Sequence, residues 1–206
     1  MKDDGCPDLV RSRSYSNDSV PDRALTSARC GKLDFLGLLR ALAGLAVLVA
    51  IPSARAVAFQ WGKRRMPLWK IAFWILGVVL FDVFLGRWMN SIVNAAFPAT
   101  VLGVYFRPSG WLYFVDLVFG MALVAGSEEI VFRRCARDAF QPCLGNGYAS
   151  VVATSLLFGC YHWWAGLGTI VVATMIGILL MLFLQRSDAL WPVALAHYLI
   201  DVIDFA

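Results

Sequence analysis

Glu128 and Glu129 stand side by side and are the only two glutamates in a chain of 206 residues. The chain also has only two histidines, His162 and His197. A carboxylate and an imidazole that reach the same water can hold it and take its proton. A second imidazole can donate to the oxyanion that forms when that water attacks an amide. The four residues together therefore suit hydrolysis of a peptide bond. Their neighbours are spaced to support them. On a helix Glu129 and Arg133 are i and i+4 and can pair, while Glu128 points about 100° away and need not share that partner. Phe158 and His162 stand in the same relation. So do His197 and Asp201, where the carboxylate can orient or charge the imidazole. Each piece has a plainer reading: glutamates solvated at an interface, a structural histidine at a helix end, a polar pair that glues helices together.

The elements that must carry these residues are apolar. Hydrophobic residues make up 60% of the chain and charged residues 16%, against about 45–50% and about 25% in an ordinary soluble domain. This composition excludes a disordered chain, a coiled coil and a nucleic-acid binder. The five cysteines (Cys6, Cys30, Cys135, Cys143 and Cys160) are odd in number and contain no CxxC pair, which argues against a disulfide framework or a cysteine-rich zinc site. A polytopic membrane protein remains. Ionisable side chains in such a chain are costly and mark function by default.

Residues 1–34 are polar, with six basic residues balancing six aspartates. They read as a disordered tail and a poor signal peptide. Residues 35–206 read as a transmembrane domain. Apolar runs cover Leu36 to Ile51 (extending toward Phe59), Trp69 to Leu85, Trp111 to Phe132, Tyr148 to Trp164, Gly168 to Leu184 and Leu190 to Phe205. The run from Ile92 to Tyr105 is broken by Pro98 and reads as re-entrant or interfacial. The expectation is an all-α transmembrane bundle of six spans, or seven if the broken run crosses. Trp61, Trp69, Trp111, Trp163, Trp164 and Trp191 sit near run ends, as an interfacial aromatic belt would. The basic clusters Lys63–Arg65 with Lys70 and Arg133, Arg134 and Arg137 fall on one side, the cytoplasmic one, if the broken run does not cross.

Three motifs in order, Glu128-Glu129…Arg133, Phe158…His162 and His197…Asp201, resemble the CPBP family of CAAX proteases and bacteriocin-processing enzymes, also called the Abi family. The resemblance covers roughly residues 111–206. It implies that Glu128 activates the attacking water, that His162 helps hold it, and that His197 and Asp201 form the pair that stabilises the oxyanion. Glu129 and Arg133 are then supports, as is Phe158. The family is often described as metalloproteases, while work on relatives favours a metal-free glutamate mechanism. The residues leave both open, because Glu128, His162 and His197 are enough to ligate zinc with an open position. Two departures stand out. Arg134 follows the motif arginine where glycine is common, and Asp201 stands where asparagine is common. An ionised carboxylate cannot donate to an oxyanion, so an ionised Asp201 would orient or protonate His197, which then does the donating.

The expected activity is an intramembrane endopeptidase acting on a membrane protein or lipid-anchored peptide. The short chain points to bacterial processing or removal of C-terminal sorting tails at the inner membrane. The alternatives are a non-catalytic protein of the same fold with an immunity or scaffold role, the zinc-dependent version of the protease, and a transporter using buried charges as a proton relay. Other intramembrane protease classes fit less well: there is no His-Glu-x-x-His, no Gly-x-Gly-Asp beside Asp82 or Asp116, and no Gly-x-Ser-Gly around Ser127.

Overall fold

The structure is a computed structural model that describes residues 50, 52, 65–103, 105, 110–145 and 147–206. The polar tail, the first apolar run and most of the basic loop at 62–65 lie outside the described residues. Among the described residues the chain is all-helical, apart from one isolated antiparallel bridge between Val101 and Ala165. The helices are α1 (Leu68–Ala96), α2 (residues 111–144), α3 (Tyr148–Tyr161), α4 (Leu167–Ser187) and α5 (Leu190–Phe205). Of these, α1 and α4 are long and apolar enough to cross a membrane.

The gap expected between the run ending at Leu85 and the one beginning at Ile92 is not a break in the chain, which breaks at Pro98 as its residue type suggests. Helix α1 runs from Leu68 through Ala96, joining the second apolar run to the first part of the Pro98-containing one. Asn90 and Asn94 dilute the hydrophobicity there, but their amides are used across the helix pair. Asn94 accepts from the Gly168 amide at 2.7 Å and Asn90 accepts from Thr169 Oγ1 at 3.1 Å. The helix stops before Pro98, whose ring disfavours helical backbone in the residue ahead of it. Pro98–Thr100 then forms a single 3-10 turn. The extended residues after it lie on the loop that follows α3, where the Leu102 and Gly103 amides both donate to the Trp164 carbonyl.

Helix α4 is the centre of the bundle. Val172, Ile176, Leu180, Met181, Phe183 and Leu184 pack with Ile71 and Val78 of α1, Val151 of α3, and Val193, Ala196 and Ile200 of α5. Trp74 of α1 stacks on Phe183 with centroids 5.5 Å apart. The outer faces of α1 and α2 carry Phe73, Leu76, Phe84, Phe114, Phe119 and Leu123, all exposed. A continuous apolar surface of this kind suits a lipid surrounding.

Among the described residues three turns within the helices are wider than regular α-helix. Phe81–Gly86 in α1, and Asp116–Gly120 and Val131–Ala136 in α2, are π-helical. Each holds a charged residue (Asp82, Asp116 and Arg133). Such wide turns are frequent at functional sites.

Glycine sets the spacing of α3 and α4. A Cβ on Gly159 would strike the Thr174 side chain and come within 2.6 Å of the Ile170 carbonyl oxygen. A Cβ on Gly177 would meet Ser155 Cα at 3.2 Å. Small residues are what let two such backbones approach. Gly159→Ala should therefore force the helices apart, at about the 1–3 kcal/mol of an overpacked core. Gly77→Ala, with nothing within 4 Å of the new carbon, should be neutral or mildly stabilising. Thermal unfolding of the two variants in detergent checks this; equal melting temperatures would contradict the packing.

Candidate active site

Helix α2 contributes Glu128 and Glu129 at the entry to its second wide turn and Arg133 within that turn. Glu129 and Arg133 are fully buried, and Arg133 Nε lies 3.0 Å from Glu129 Oε2. Arg133 had counted above as a charge flanking a span; instead it is enclosed. The other oxygen of Glu129, Oε1, lies 2.9 Å from His197 Nδ1 of α5. Glu129 thus pairs ionically with Arg133 of its own helix through one oxygen and bonds to His197 of α5 through the other. The guanidinium of Arg133 also lies over the Phe158 ring, 4.8 Å from its centroid.

Phe158 of α3 is the wall of the site. Its ring meets the edges of His162 and His197 in T-shaped contacts at 4.9 and 5.6 Å, and that of Phe132 at 5.1 Å. Its carbonyl oxygen is 2.9 Å from His162 Nδ1. The carbonyl can only accept, so Nδ1 carries the proton, and His162 Nε2 is left with its lone pair in the neutral ring. Helix α3 ends at Tyr161, which puts His162 in the cap position and its ring at the edge of the bundle.

Glu128 faces both imidazoles. Its Oε2 is 4.0 Å from His162 Nε2 and 3.8 Å from His197 Nε2. These distances are too long for direct hydrogen bonds and suit one bridging water. Access is graded: the side chains of Glu129 and Arg133 are 0% exposed, those of Glu128 and His162 11% and 22%.

Zinc bonds to such ligands are about 2.0–2.2 Å long, so an ion would need its donors closer together than Glu128 and the two imidazoles lie. Among the described residues no three His, Cys, Asp or Glu side chains converge closely enough to hold a metal ion. As folded, Glu128 and the two imidazoles stand wider apart than the donors of a tetrahedral zinc ion.

All seven residues singled out in the sequence are brought to one place. Asp201 was expected to orient or charge His197 from one turn away; it lies beside the ring, and the 2.9 Å bond to the ring comes from Glu129. Asp201 Oδ1 sits on the opposite side of the ring, 3.6 Å from Nε2. The i, i+4 rule sees only partners on the same helix, and this bond links helices 68 residues apart in sequence. The sequence reading also missed Arg87 and Asp204, which join α1 to the end of α5 through a 2.7 Å ion pair. The signal was Asp82, an acid inside an apolar run.

A carboxylate between two imidazoles, at the edge of an apolar helical bundle, is an arrangement that can hold and deprotonate a water. Residues 109–203 match the Rce1-like family, described as type II CAAX prenyl endopeptidase Rce1-like. Residues 109–203, a little under half of the chain, form an Rce1-like segment, and every residue of the cluster lies inside it. Neither the curated proteins nor the solved structures compared with the chain gave a match.

Burial of the Glu129–Arg133 pair sets an expected cost. Arg133→Met strands the Glu129 charge in the interior, a loss of about 3–5 kcal/mol. Adding Glu129→Gln removes the stranded charge and should restore part of the stability while leaving His197 without its carboxylate partner. Melting temperatures of the single and double variants check this; an Arg133→Met protein as stable as the parent would contradict it.

Proposed function

We propose that the chain is an intramembrane endopeptidase in which Glu128 is the general base. The observation that carries this reading is the position of Glu128 Oε2, 4.0 and 3.8 Å from two imidazole nitrogens. A water held by Glu128 and His162 Nε2 gives its proton to Glu128 as its oxygen bonds to the scissile carbonyl carbon. The carbonyl oxygen becomes an oxyanion facing His197. With Nδ1–H given to Glu129, His197 donates from Nε2 only as the doubly protonated imidazolium, whose charge Glu129 and Asp201 offset. Glu128 then passes its proton to the amide nitrogen, the C–N bond breaks, and the two peptide halves leave as an acid and an amine. Asp201 acts through His197 in this scheme, and Glu129, Arg133 and Phe158 hold the reacting groups in place.

The chain is read as a multi-pass protein of six or seven spans. Residues 35–206 form its membrane domain, and the catalytic core lies in residues 111–206. Its substrate is a membrane-associated peptide, either lipid-anchored or ending in a hydrophobic sorting tail, processed in a bacterial inner membrane. The family match supports a membrane peptide substrate, and the apolar outer faces of α1 and α2 support a bilayer around the site.

The test is cleavage of an internally quenched farnesylated CAAX peptide, and of a C-terminal sorting-tail peptide, by the full chain in lipid nanodiscs. Glu128→Gln keeps the side-chain shape and removes the base, so turnover should fall by about 10²–10⁴-fold. A folded Glu128→Gln protein with near-normal turnover overturns the assignment. In the same assay 1,10-phenanthroline should leave turnover unchanged relative to its non-chelating isomer. Activity that is lost to the chelator and returns with zinc would assign the same residues to a metal.

A further inference from the structure

We infer that Asp82, Gly86 and Arg87 of α1 form a clamp that sets the position of α5, so that α1, outside the matched segment, supplies positioning residues to the site. This rests on the catalytic reading above only in what the clamp is for.

Asp82 is 3% exposed, a carboxylate inside an apolar helix with no part in the hydrolysis. Arg87 is five residues further on. Five residues of regular helix turn through about 500°, which would leave the two side chains about 140° apart. The wide turn over Phe81–Gly86 closes that gap: Arg87 bonds to Asp204 of α5, and Asp82 comes near the same carboxylate, a pairing of two acids that needs a proton on one of them. Gly86 lets this happen: a Cβ there would lie 2.8 Å from Asp82 Oδ1 and 3.1 Å from Val172 Cγ1 of α4.

Arg87 makes two kinds of bond to the end of α5. Its Nε donates to Asp204 Oδ1 at 2.9 Å and its Nη2 to the Ile203 carbonyl at 2.7 Å. A half-exposed ion pair alone adds little. The second bond goes to a carbonyl in the last turn, one of the acceptors a helix cannot satisfy itself, and a cation there suits the helix dipole. From the other side the Tyr113 hydroxyl of α2 donates to the Phe205 carbonyl at 3.1 Å, and the Tyr105 ring packs on that of Phe205 at 4.5 Å. The end of α5 is therefore held between α1 and α2. His197, Asp201 and Asp204 are i, i+4 and i+7, one face of that helix. Where Asp204 is held fixes how far along α2 the His197 ring and the Asp201 carboxylate fall.

The experiment uses the full chain in nanodiscs, with Arg87→Gln and Arg87→Lys, read by hydrogen–deuterium exchange and by kcat and KM on the farnesylated CAAX peptide. Arg87→Gln should raise exchange several-fold across residues 197–206 and leave α3 and α4 unchanged. It should lower kcat by about 10²-fold, as a small misplacement of reacting groups does, with KM within about twofold. Arg87→Lys, which keeps the charge and a donor, should recover most of both. Unchanged exchange in α5, a rise spread equally over α3 and α4, or a raised KM with intact kcat would each overturn the clamp. Should Arg87→Gln not fold, Asp204→Asn carries the same two readouts. A wild-type chain that leaves the peptide uncut counts against the proposed function, while the exchange measurement still decides the clamp.

Discussion

The enclosed carboxylate of Glu129 is the constraint on which the site depends. It has no solvent to stabilise it and is held by a guanidinium from its own helix and an imidazole from another. Neither cation could sit in that interior without it. A buried charge that loses its partner is far more costly than the pair is stabilising. The Glu129 bonds therefore fix the relative placement of α2 and α5 more firmly than apolar packing would. Glu128, one residue and about 100° further back round the helix, is spared that duty. Two chemically identical side chains thus take different tasks, one locked and one available to a water, through nothing more than helical geometry.

The wide turns serve this same economy of placement. An apolar bundle has few positions where a charge can be tolerated, and each described π-helical turn holds one: Asp82, Asp116 and Arg133. Asp116 meets the hydroxyl of Tyr105, Asp82 lies beside Asp204, and Arg133 reaches Glu129. An extra residue in a turn changes which side chains share a face without ending the helix. That is how a straight, lipid-compatible rod can present a charge inward at a place its regular periodicity would have turned elsewhere.

Much of this was legible in the residues. Helix class followed from the long apolar runs, and the scarcity of glutamate and histidine singled out Glu128, Glu129, His162 and His197. The same-helix pair Glu129–Arg133 followed from spacing. What spacing could not give was the partner of His197, because a bond between helices depends on their docking and not on local period. Nor could it give the length of α1. Asn90 and Asn94 look like the end of a span by hydrophobicity, yet they are helix residues whose amides are met by Gly168, Thr169 and the Ala165 carbonyl. Wide turns leave no mark that residue types alone reveal, so Arg87 passed unnoticed beside Asp82.

Phe158 has a consequence for how the site can change. One ring is in contact with Arg133, His162 and His197 at once, so three polar groups from three helices share a single apolar neighbour. Residues that share a partner do not contribute independently. Effects of substitutions at 133, 162 and 197 should not sum, and a change that is tolerated in one background should be damaging in another. The aromatic wall couples the members of the cluster, so that a change at one alters what the others tolerate.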